Sequence, residues 1–95
     1  MNRLLNMFGL CRRAGRLLIG RDAVVGAVRT GKVKTVYLTS DAAASHTREL
    51  SAVAPDVKIL TLPVTMDEMG VSLGKRSCIF AATDENLAAA IEKLI

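Results

Sequence analysis

Gly20, Arg21 and Asp22 sit between a short aliphatic run and a stretch with helical periodicity, a place where backbone chemistry is available. A turn there presents unpaired N–H groups and one guanidinium at a helix N-terminus, which attracts phosphate or another anion. The glycine spacing is neither GxGxxG nor GxxxxGK(S/T), so the turn does not carry a mononucleotide-loop signature. A tight turn with Asp22 complementing the helix dipole accounts for the same residues. Further cations that could meet phosphate are Lys32 and Lys34, which follow Gly31, and Lys75 and Arg76, which follow Gly74. His46 stands between Ser45 and Thr47, and Ser40 and Asp41 lie close by. No nucleophile and general base can be paired among these from spacing, so no catalytic residue and no enzyme are expected. Cys11 and Cys78 lack CxxC spacing and are read as reduced, structural thiols, with no metal and no cofactor expected.

Charge is distributed unevenly. The chain carries a formal +4, but residues 1–34 hold eight bases against the single acid Asp22, and the remainder holds five bases against eight acids. A segregated basic third is the electrostatic footprint of a nucleic-acid binder, since phosphate contacts supply most non-specific affinity. With one Tyr, two Phe and no Trp, stacking of bases on aromatic side chains has little to work with, so phosphate and base-edge contacts are favoured. Arg12, Arg13 and Arg16 extend the basic surface.

The elements that must position these residues follow from periodicity. Asn2 caps a first helix carrying Leu4, Leu5, Phe8 and Cys11 on one side, ended by Gly15. Leu17 to Ile19 read as a strand, and Ala23, Val24, Ala27 and Val28 mark one face of a second helix that stops at Gly31. Val33 to Thr39 is a buried strand, and strand–helix–strand over so short a span predicts a right-handed crossover joining a parallel pair. Thr39, Ser40 and Asp41 cap a third helix from about Ala42 to Val53, closed by Pro55. Val57 to Leu62 is a strand. Thr65 and Glu68 form a capping box for a helix striped by Met66, Met69 and Leu73. Ser77 to Thr83 is the last strand, and Asp84 caps a final helix burying Leu87, Ala88, Ile91, Leu94 and Ile95.

With 95 residues, 51% of them hydrophobic, residues 1–95 are expected to form a single domain around one core. Alternating helices and four strands predict a three-layer α/β/α sandwich with a four-stranded mixed sheet. No apolar run approaches the ~18 residues of a membrane span, and the opening MNRLLNMFGLCRRAG lacks a signal-peptide core, so a cytoplasmic location is expected.

Two blocks, LLIGRDAVVGAVRTGKVKTVYLTSDAA and EMGVSLGKRSCIFAATD, resemble the kink-turn RNA-binding ribosomal protein superfamily, which includes the archaeal and eukaryotic L-seven-Ae and L-thirty-e types. The opening MFGLCRRAGRLLIG is most similar to the LLGLARRAGKL-like start of its small bacterial, YlxQ-like branch, and the resemblance covers nearly the whole chain. It implies an α/β/α sandwich and a ribosome-associated partner RNA held at the start of the second helix and by the loop before the last strand. Together with the basic pole, it gives Gly20, Arg21, Asp22, Lys32, Lys34, Lys75 and Arg76 as the expected RNA-binding residues. The family's Gly-x-Asn-Glu-x-x-Lys run falls on Gly20 to Gly26, where only the glycine matches: Asp22, Ala23 and Gly26 replace the Asn, Glu and Lys. An Asp carboxylate accepts but does not donate, and each bidentate base interaction that goes missing removes roughly 1–3 kcal/mol of discrimination. Recognition mainly through phosphates is therefore expected, with a protein-interaction module that has lost specific RNA recognition as the alternative.

Overall fold

The computed structural model describes residues 2–95. Five helices and four strands alternate: α1 (Arg3–Arg13), β1 (Leu17–Ile19), α2 (Arg21–Arg29), β2 (Thr35–Leu38), α3 (Ala44–Val53), β3 (Lys58–Thr61), α4 (Met66–Leu73), β4 (Ile79–Ala82) and α5 (Glu85–Glu92). The expected sandwich is present. Period-2 alternation sends Tyr37, Phe80 and Ala82 to one face of the sheet with α1, α4 and α5, and Val36, Leu38, Ile79 and Ala81 to the other with α2 and α3.

Strand pairing departs from the simplest reading. The order is β1-β4-β2-β3, with β4 antiparallel to both neighbours and only β2 and β3 paired in parallel. The parallel partner of β2 is thus β3, because β4 inserts between β1 and β2. Leu17 to Ile19 pair with Phe80 to Ala82, and Tyr37 and Leu38 pair with Phe80 and Ile79.

Helix ends follow local chemistry in most places. The Asn2 side chain accepts from the Leu4 and Leu5 N–H groups, and Asp84 accepts from Asn86 and Leu87. Gly31, at φ 76°, lets the chain close α2 with Lys32 N–H donating to Ala27 O at 2.9 Å and Gly31 N–H to Val28 O at 3.1 Å. The capping box of α4 is complete: Thr65 Oγ1 accepts from Glu68 N–H at 3.2 Å and Glu68 Oε1 accepts from Thr65 N–H at 3.0 Å. Thr65→Ala should cost about 1 kcal/mol of unfolding free energy, with an unchanged denaturant slope in urea titration; a change within experimental error would show that α4 is held by packing alone.

Two further expectations are corrected. Helix α3 starts later than Ala42, with Ala43 at its N-cap and no side-chain cap, because Asp41 Oδ1 instead accepts from Met66 N–H at 3.0 Å. The Met66 bond holds the Asp41 carboxyl below its ordinary range. Ile95 lies beyond α5 and is exposed, while Ile91 carries the buried face and Leu87, Ala88 and Leu94 pack against it.

Candidate nucleic-acid interface

Backbone bonds gather four connecting segments at one end of the sheet. Gly20 N–H donates to Ile79 O at 3.0 Å, which ties the turn before α2 to the start of β4. Thr39 N–H donates to Cys78 O at 3.0 Å, and Ser40 N–H to Val64 O at 2.9 Å. Gly20 adopts φ 102°, ψ 156°, a conformation that L side chains rarely take, and supplies no side-chain cap to α2. The first N–H groups of α2 therefore face outward beside Arg21 and Asp22, both exposed.

Gly20, Arg21, Asp22, Lys75 and Arg76 share this end, joined through the Gly20 to Ile79 bond and the three residues Arg76 to Cys78 that lead into β4. Arg12 approaches the residue before Lys75, since a Cβ on Gly74 would lie 3.7 Å from Arg12 Nη1. Lys32 and Lys34 lie at the opposite end, before β2, where Lys34 O accepts from Lys58 N–H at 2.8 Å. They line a recess of about 250 Å³ shared with Glu85 and Glu92. Arg16 is also at that far end, its carbonyl accepting from Thr83 N–H at 2.8 Å.

The cations at the Gly20 end are not equivalent. Arg21 forks onto Glu49 of α3, with Nε 2.9 Å from Oε1 and Nη2 on Oε2, and its Nη1 meets Asp22 Oδ1 at 2.7 Å. The Arg21 bond holds the Glu49 carboxyl below the ordinary carboxylate range. Arg76 Nε pairs with Asp67 Oδ1 at 2.8 Å. Lys75 is exposed and in no ion pair among the described residues.

Glu49 escaped the sequence reading, as did the contact of His46 Nε2 with Cys78 Sγ at 3.3 Å. The partners stand 28 and 32 residues apart, so no local spacing announces them. Among the described residues no group of three or more His, Cys, Asp or Glu could hold a metal, and no helix is long and apolar enough to cross a membrane.

These features define a small α/β/α domain that offers backbone donors and cations at one end of its sheet. No family model matches the chain. It is 24% identical to the RNA-binding protein YlxQ of Enterococcus faecium over 92 residues, which is 96% of this chain and 89% of that protein. A solved structure of a protein with unknown function from Bacillus halodurans superposes with a TM-score of 0.85 at 26% identity, covering 99% of this chain and 97% of that one.

Proposed function

We propose that this chain is a non-catalytic RNA-binding protein of the cytoplasm that holds structured RNA, of ribosomal or kink-turn-like form, mainly by its phosphates. The observation that carries the reading is the convergence of the uncapped α2 N-terminus and the Lys75–Arg76 turn through the Gly20 to Ile79 bond. The near full-length similarity to an RNA-binding protein supports it. Under this reading Lys75 and the α2 N–H groups meet phosphate directly, Arg21 and Arg76 exchange a carboxylate for a phosphate oxygen, and Asp22 faces a base donor edge. Gel-shift titration against kink-turn and ribosomal RNA at low salt tests it, and no shift with any of them would end it.

The Arg21 fork makes a further expectation. Glu49→Gln removes the competing charge and should raise RNA affinity severalfold while leaving the unfolding midpoint nearly unchanged, because an exposed ion pair contributes little to stability. A fall in affinity would mean that Glu49 aims Arg21 rather than occupying it.

A second reading, a protein-interaction module, draws on a groove between α1 and α4. Leu5, Gly9, Leu10 and Leu73 line it beside Arg12 and Arg13, and Leu10 is 49% exposed. Protein partners that survive nuclease treatment in a pull-down would favour it.

A further inference from the structure

Cys78 and His46 form a pair that RNA binding leaves unused. Both are half-buried, with Sγ 3.3 Å from Nε2, where the segment entering β4 meets the first half of α3. Glu49, which is hydrogen-bonded to Arg21, follows His46 by three residues on α3 and lies within its electrostatic reach. The other thiol is placed very differently: Cys11 is fully buried, its Sγ donates to Arg16 O at 3.2 Å, and burial pushes its thiol up. A thiol within reach of an imidazole nitrogen is the arrangement of an assisted nucleophile, whereas a buried structural cysteine is inert.

We propose that Cys78 is a modification site, whose thiol exchanges with low-molecular-weight disulfides using His46 as proton acceptor, and that the resulting adduct obstructs the neighbouring interface. In the tautomer protonated at Nδ1, His46 Nε2 is free to accept. As Cys78 Sγ attacks one sulfur of the disulfide, its proton passes to His46 and a new S–S bond forms. The old S–S bond breaks, and the second sulfur leaves with the electron pair and takes up a proton. Cys78 is thereby oxidised to a mixed disulfide with one half of the small disulfide, and the departing half is reduced to a thiol. Cys78 itself stands between Arg76, two residues earlier, and Ile79, whose carbonyl holds the Gly20 turn. This second half of the proposal rests on the RNA reading; the thiol chemistry does not.

The test incubates the native full chain with oxidised glutathione, without RNA, and follows adducts by intact-mass and peptide mass spectrometry. The expected result is one adduct on Cys78, with Cys11 unmodified until the chain unfolds. His46→Gln should slow the reaction about 100-fold, the lower end of general-base assistance, with the unfolding midpoint unchanged. Equal rates in the two proteins, or Cys11 reacting as fast as Cys78, would overturn the site. The glutathionylated chain should bind RNA about tenfold more weakly near 0.1 M salt, the effect of removing a single phosphate interaction, while Cys78→Ser treated identically keeps its affinity. Unchanged affinity of the adduct overturns the obstruction, whereas an untreated chain that binds no RNA overturns the RNA reading and leaves the adduct kinetics to decide the site.

Discussion

Replacing Phe8 with alanine should lower the unfolding free energy by about 3–5 kcal/mol, the range for truncating a buried aromatic. Phe8 is fully buried, with its ring 5.6 Å from that of Tyr37 at 89° and 5.8 Å from that of Phe80 at 62°, both edge-on contacts. These are all the aromatic residues of the chain, so its whole aromatic content joins α1 to the two central strands in one cluster. Tyr37 OH donates to Ala88 O at 3.4 Å, and burial, aided by Glu92 and Cys11, pushes its phenol up to about 12. The cluster thus stays neutral through the physiological range. Domains of this size have about 5–15 kcal/mol of total stability, so the cavity would consume a large share of it. Urea unfolding checks this, and a loss under about 1.5 kcal/mol would mean that α1 collapses into the space without strain.

The double variant Arg21→Ala with Lys75→Ala should weaken RNA binding by on the order of 100-fold near 0.1 M salt, because each phosphate contact gains roughly the inverse salt concentration through counterion release. The slope of log affinity against log salt should fall by about two units, roughly one per phosphate. Lys32→Ala with Lys34→Ala serves as the control. Those residues carry the same charges but lie across the sheet beside Glu85 and Glu92, so affinity and slope should stay near those of the unaltered chain. Equal losses in the two double variants would point to diffuse attraction by net charge, without an interface at the Gly20 end.

Much of the architecture was legible because it is local. Asn2, Thr65 with Glu68, and Asp84 cap the helices they precede, and all nine elements appear in the expected order, with shifted ends at α3, β2 and α5. What escaped is what depends on residues far apart in the chain. Asp41 has the character and position of a cap for α3, yet Met66, 25 residues away, takes its carboxylate. Arg21 reads as an available cation, but α3 folds Glu49 onto it. Charge alone groups Lys32 and Lys34 with Lys75, and only the direction of β2 sends them to the other end. His46 is isolated in the sequence because its neighbour Cys78 enters with the last strand.

The insertion of β4 also dictates when the protein comes into being during its synthesis. Leu17 pairs with Ala82, so the first strand gains no neighbour until β4 has been made. Until Ile79 to Ala82 emerge, the nascent chain can assemble only the parallel pair β2 and β3, and two strands alone are marginal. The sheet is therefore completed in one late event when β4 enters between β1 and β2. The same event brings Ile79 O to the Gly20 N–H, so the candidate interface forms only when the sheet does.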